Sequence, residues 1–191
     1  MRPILKEYCS QTISCRTITR MTPYTIVLML FHIGTPSVAA ETAPPSPGKW
    51  QVLTTPSARE DSLTLSLKAE KAVTGWMKTS VPTLTIQCSK GKAALYIETE
   101  MALEVTVVDQ QIVRVQLDGN APITQRWREV TNATVSASTR DATSLIKQFA
   151  QSPKFMFEFT SFNGAPVQAE FAVSGLNAYS PLLNRTCWGG K

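Results

Sequence analysis

Apolar and polar residues alternate with a period of two along much of the chain after residue 48. Leu63, Leu65 and Leu67 alternate with Thr64, Ser66 and Lys68, and Leu84, Ile86 and Cys88 alternate with Thr83, Thr85 and Gln87. Such alternation sends neighbouring side chains to opposite faces of a strand, so each run predicts a half-buried strand with Cys88 facing the core. Trp50 to Thr54 opens the series. Residues 55–61 read as a polar loop, and Lys71 to Val81, with Gly75 and Trp76, as a longer one. Ser89 to Lys92 turns around Gly91 into a returning strand carrying Leu95 and Ile97. Leu103 to Val108 and Ile112 to Leu117 predict a hairpin around Asp109-Gln110, followed by a turn at Asp118-Gly119-Asn120. Ile123 to Val130, centred on Trp127, and Ala133 to Ser138 predict shorter strands. Phe155, Phe157 and Phe159 form the last strong alternation before Asn163-Gly164, the clearest hairpin signal in the chain. Val167, Ala169, Phe171 and Val173 mark its partner strand.

Helical spacing is rarer. Leu145, Ile146 and Phe149 form one apolar stripe, with Asp141 as the expected N-cap and Ser152-Pro153 as the stop. Ser180-Pro181 can begin a short second helix that ends near Cys187, with Ser as cap and Pro at the first helical position. No strand–helix–strand alternation supports a parallel sheet. The pattern predicts a mainly β domain, an antiparallel β-sandwich with one or two short helices, over residues 49–191.

The N-terminal 40 residues read differently. Arg2, Lys6, Arg16 and Arg20 precede an apolar run of about ten residues from Tyr24 to Ile33, half of what a bilayer span needs. Small residues follow at Val38-Ala39-Ala40. This order predicts a signal peptide over residues 1–40, cleaved after Ala40, with translation starting at Met1 or Met21. An uncleaved anchor is the alternative, and the only predicted contact with a membrane. Residues 41–48, with Pro44, Pro45 and Pro47, form an extended linker.

Removing residues 1–40 changes the charge. The whole chain carries 19 basic and 14 acidic residues, a net +5. The segment takes away four basic residues and Glu7, leaving 15 and 13, a net +2. The remaining basic residues are scattered, so no nucleic-acid partner is expected. Cys88 and Cys187 are the two cysteines left, and an even pair in an exported chain predicts one disulfide across about 100 residues. Two free buried thiols are the alternative.

The only histidine, His32, goes with the signal segment. That removes Ser-His-Asp and Cys-His catalysis and His-ligated metals; no cofactor or metal is expected, since tetrahedral zinc would need carboxylates. Ser144-Leu145-Ile146-Lys147 matches S-x-x-K, and Lys78-Thr79-Ser80 resembles the K-T-G element of penicillin-binding proteins. The two stand in the wrong order, the S-D-N element is missing, and an ordinary helix surface explains the match. Glu98 and Glu100 sit two apart on one strand face, as expected of a solvated edge or of an acid–base pair. Arg126 and Arg128 flank Trp127. They suit an anionic ligand, or simply the outer side of a strand whose Trp is buried. Trp76, beside Met77, is either an interface anchor in an exposed loop or a plug for one end of the sandwich.

Several residues stand in a distinctive order: Trp50, then Asp61 before the Leu63/Leu65/Leu67 strand, and Pro82-Thr83-Leu84-Thr85-Ile86-Gln87-Cys88. The Leu117-Asp118-Gly119 turn, Trp127, Leu145-Ile146, Phe171-Ala172-Val173-Ser174-Gly175-Leu176 and a closing Cys187-Trp188 follow. In this order the chain resembles the VasI (TagO) family of type VI secretion-associated proteins, over nearly all of residues 49–188. Where that family leads one to expect an Arg two residues before the Asp of the turn, this chain has Gln116, with Arg114 two further back. The resemblance implies an exported, non-enzymatic accessory to a contractile secretion machine and brings no catalytic residues. The expected function is therefore a periplasmic accessory or binding protein with a protein partner in the bacterial envelope, type VI components first. Trp76, Met77, Arg126 and Arg128 are its candidate contacts. A periplasmic inhibitor or immunity-type protein that binds a toxin or lysozyme is the alternative.

Overall fold

The computed structural model describes residues 48–54, 62–75 and 77–189. The expected signal segment, most of the linker, the 55–61 loop and Trp76 lie outside the described residues. Along the chain come β1 (Gln51–Thr54), β2 (Ser62–Lys68), β3 (Val73–Thr74), β4 (Thr79–Ser80), β5 (Thr83–Ser89) and β6 (Lys92–Glu98). Then follow β7 (Gln110–Leu117), β8 (Ile123–Thr131), β9 (Thr134–Ser136), α1 (Thr139–Phe149), β10 (Phe155–Thr160), β11 (Pro166–Phe171) and α2 (Ser180–Cys187). Two strands, β3 and β4, form a small ribbon inside the stretch read as a loop over 71–81. The other nine form one antiparallel sheet in the order β1-β2-β5-β6-β9-β8-β7-β10-β11.

The domain is mainly β, as the alternation predicts, and its two halves belong to one continuous ladder. β9, only three residues long, joins β1-β2-β5-β6 to β8-β7-β10-β11. The register of β8 shifts beside it, between Glu129 and Thr131. A short strand next to a bulge lets a sheet bend sharply. The two ends of the sheet accordingly come together: Glu70 N–H donates to the Glu170 carbonyl at 2.8 Å, and the Trp50 indole N–H to the Val173 carbonyl at 3.1 Å. One core results. Leu63, Leu65, Leu84, Ile86 and Cys88 line it from one half, and Trp127, Phe155, Phe157, Phe159 and Phe171 from the other, all at most 1% exposed.

Helix α1 follows directly on the short β9 and packs against β6. Its buried stripe, Ala142, Leu145, Ile146 and Phe149, faces inward, and Phe149 meets Phe155 at 4.9 Å between ring centroids. The expected N-cap is corrected by three residues. Ser138 takes that position, its Oγ accepting from the Asp141 N–H at 3.2 Å and donating to Asp141 Oδ2 at 2.7 Å. The hydroxyl thus satisfies an otherwise orphaned N–H of the first turn, and the Asp141 carboxylate holds it in place. Ser138→Ala should therefore cost about 1 kcal/mol in urea unfolding, against no measurable loss if water replaces the hydroxyl. At α2, Tyr179 occupies the N-cap position, Ser180-Pro181 begin the helix, and a 3-10 turn at Leu176–Tyr179 leads into it.

The hairpin expected between 103–108 and 112–117 does not form. A strand has two edges, and both edges of β7 are taken, by β8 and by β10. Residues 103–108 alternate convincingly but find no edge, apart from a single bridge from Leu103 to Ser161. Val105, Val107 and Val108 are exposed in consequence. The strand expected over Ala133 to Ser138 shortens to β9, because the chain leaves the sheet to enter α1.

The Cys88–Cys187 disulfide is present, with the Cα atoms 4.7 Å apart and both residues buried. It ties α2 to β5 in the body of the sheet. Beside it Lys90 (φ 51°) and Gly91 (φ 72°) make the β5–β6 turn, the double positive φ of a tight hairpin. Gly91 N–H also donates to the Thr186 carbonyl at 3.0 Å, so turn and helix are held twice. A Cβ on Gly91 would come within 3.2 Å of the Gly189 Cα.

Candidate functional site

One end of the domain gathers the β3–β4 ribbon, the segment 99–109 and the β10–β11 turn. The buried Thr99 organises the middle segment: its hydroxyl lies 2.8 Å from the Met101 carbonyl and 3.0 Å from that of Ala133, and it accepts from the Met101 N–H. Ser80 Oγ donates to the Thr99 carbonyl at 2.7 Å and fastens the ribbon to it. On the other side Phe162 N–H donates to the Ala102 carbonyl and Glu104 N–H to that of Thr160. The β10–β11 turn is closed by Gly164 at φ 80°, with Gly164 N–H donating to the Ser161 carbonyl at 2.8 Å.

These bonds frame a cleft of about 190 Å³ lined by Met77, Lys78, Glu100, Met101, Ala102 and Phe162. The side chains at its rim are apolar and outward. Met77 is 80% exposed and Phe162 52% exposed, with the exposed Val105, Val107 and Val108 on the neighbouring segment. Lys78 and Glu100 add an ion pair at 3.8 Å. Met77, singled out in the sequence, is thus brought to an apolar rim, while its neighbour Trp76 lies outside the described residues. Phe162 was missed because it stands beside Asn163-Gly164 and reads as the flank of a turn; its signal is that it continues the alternation of Phe155, Phe157 and Phe159 one residue out of phase.

Arg126 and Arg128 are elsewhere, exposed on the outer face of β8, while Trp127 between them is fully buried. They line a second cleft, of about 380 Å³, with Tyr96 and Gln110. Gln116 Nε2 donates to the Asn120 carbonyl at 2.7 Å within its own hairpin, and Arg114 pairs with Glu158 of β10 at 3.2 Å.

The residues of the two motif fragments are engaged with other groups. Ser144 Oγ accepts from Gln148 Nε2, whereas Lys147 Nζ lies 5.1 Å over the Trp188 ring; Lys78 of the second fragment pairs with Glu100. Glu98 and Glu100 do not share a strand face: Glu98 ends β6, and Glu100 follows in a left-handed conformation at φ 54°. Among the described residues no three His, Cys, Asp or Glu side chains converge as metal ligands, and no helix is long and apolar enough to cross a membrane. Comparison of the chain with protein-family models, with curated proteins and with solved structures finds no match.

Proposed function

We propose that this is an exported, non-enzymatic binding protein that docks a protein partner in the bacterial envelope through the Met77–Phe162 end of the domain. The observation that carries the reading is the apolar rim: Met77 and Phe162 hold apolar side chains in water at one cleft, and the segment that supplies Glu100, Met101 and Ala102 to its lining goes on to expose Val105, Val107 and Val108. A contiguous exposed apolar patch costs solubility and is retained where a partner covers it. Met and aromatic residues are also the types enriched at the centres of interfaces. Export is supported by the basic, apolar, small-residue order of residues 1–40 and by a disulfide of the kind that persists in an oxidising compartment. The resemblance to the VasI (TagO) family makes the expected site of action the periplasm and the expected partner a component of a type VI secretion system.

The test is site-specific photo-crosslinking in the producing bacterium from position 162, with position 126 on the other cleft as reference. A crosslink from 162 alone to a type VI envelope component is expected; a crosslinked toxin or lysozyme would establish an inhibitor instead. With the partner in hand, Met77→Asp combined with Phe162→Asp should weaken association by about thirtyfold or more, the usual effect of losing an interface anchor worth 2 kcal/mol, while the melting temperature holds. Unchanged affinity of the folded double variant would remove this end of the domain from the interface.

A further inference from the structure

The cleft on the outer face of β8 arises from a mismatch of strand lengths. β9 has three residues, whereas its neighbours β6 and β8 have seven and nine. Where β9 stops, β6 and β8 run on with no strand between them. Helix α1 follows β9 and packs against β6 beside this gap. The gap leaves the cleft of about 380 Å³, with the small Ala93 and Ala94 on the β6 side and Arg126 and Arg128 on the β8 side.

The register denies both arginines an ionic partner. On the same outer face, one rung further along, Arg114 meets Glu158 across the β7–β10 pair. Opposite Arg126 stands Ile112 instead, and Arg128 has Gln110 on one side and Ser136 on the other. Among the described residues neither arginine makes an ion pair or a hydrogen bond. Glu98 stands one rung beyond Tyr96 on β6, next to Thr134, and it makes no ion pair among those residues either. Residues two apart on a strand have Cα atoms about 7 Å apart on one face, so the two guanidinium groups repel each other until an anion joins them. Tyr96 completes the row, since Tyr96 pairs with Ser136 and Ser136 with Arg128. It offers a ring and a hydroxyl from the opposite wall.

We infer that this cleft binds a small ligand carrying two oxyanions, phosphate or carboxylate, gripped by Arg126 and Arg128 against Tyr96. A guanidinium presents a planar fork of donors matched to two oxygens of either group, and two forks rooted about 7 Å apart on one strand face suit a ligand with two such groups. The site shares no residue with the Met77–Phe162 rim, and its test is independent of the partner reading.

The full exported protein is titrated by calorimetry with inorganic pyrophosphate and, separately, with glutarate. Saturable one-to-one binding of at least one probe is expected, and the probe that binds identifies the phosphate or the carboxylate class. Arg126→Gln with Arg128→Gln should weaken binding about tenfold or more, since charge-assisted bonds are the strong ones, whereas Arg114→Gln should change it less than about twofold. Replacing both by Lys should recover only part of the loss, because Lys keeps the charge without the fork. If the double Gln variant melts early, Arg128→Gln alone is titrated in its place. No saturable binding of either probe, or equal affinity in the folded Gln variants, overturns the proposal.

Discussion

Trp127→Ala should lower the unfolding free energy by about 3–5 kcal/mol, the range for emptying a large aromatic site in a core. The indole is fully buried and faces Phe157 at 5.1 Å between centroids, and its Nε1 donates to Gln125 Oε1 at 2.8 Å. Three losses add up in one substitution. The buried apolar surface goes, the tilted aromatic pair goes, and Gln125 is left with an acceptor that water must reach. The surrounding residues have little freedom to close the hole. Phe157 is itself fixed between Phe155 and Phe159 in a run of near ring contacts. Urea unfolding gives the value, with Arg126→Ala on the outer face of the same strand as control, which should stay within about 0.5 kcal/mol of the parent. A Trp127→Ala loss under about 1 kcal/mol would mean that this half of the core collapses freely onto the vacancy.

The same contrast shows what was legible in the sequence. Phe155, Phe157 and Phe159 alternate and are buried, as do Leu84, Ile86 and Cys88, because a strand inside a sheet obeys its period of two. Leu103, Val105 and Val107 alternate equally well, yet only Leu103 is buried. Alternation states that a segment can be a strand; whether an edge is free to receive it depends on partners far away in sequence. Here β10, which begins 38 residues after β7 ends (Leu117 to Phe155), takes an edge of β7 that a local hairpin could have used. The capping residue escaped for a smaller reason. Asp141 is a good capping type, but Ser138 three residues earlier is one too, and only the turn of the chain out of β9 decides between them.

The candidate sites divide in the same way. Met77 was legible as an exposed apolar residue in a loop, but its approach to Phe162 depends on the bonds from 99–104 to 160–162. Arg126 and Arg128 were legible as a pair. The gap beside them was not, since it follows from the order β6-β9-β8 and from the length of β9.

Replacing both Cys88 and Cys187 by alanine should cost about 2–5 kcal/mol, toward the upper end because the bond closes a long loop. The sequence separation is 99 residues, and the chain-entropy model gives roughly 4–5 kcal/mol for a loop of about 100. On that model the bond acts mainly by restricting the unfolded chain, so the folded variant should still hold α2 in place. The remaining contacts allow this. Leu183 and Thr186 stay buried against the sheet, and Gly91 N–H still donates to the Thr186 carbonyl. The double substitution avoids the stray thiol that Cys88→Ala alone would leave on α2. Two measurements separate the contributions. Urea unfolding of the oxidised parent and of the double variant gives the total loss, and amide exchange across residues 180–187 shows whether α2 loosens in the folded state. A large loss with unchanged protection of α2 is the expected result. Loss of that protection without global destabilisation would assign the bond the role of a local clamp, holding a helix that its own packing cannot keep on β5.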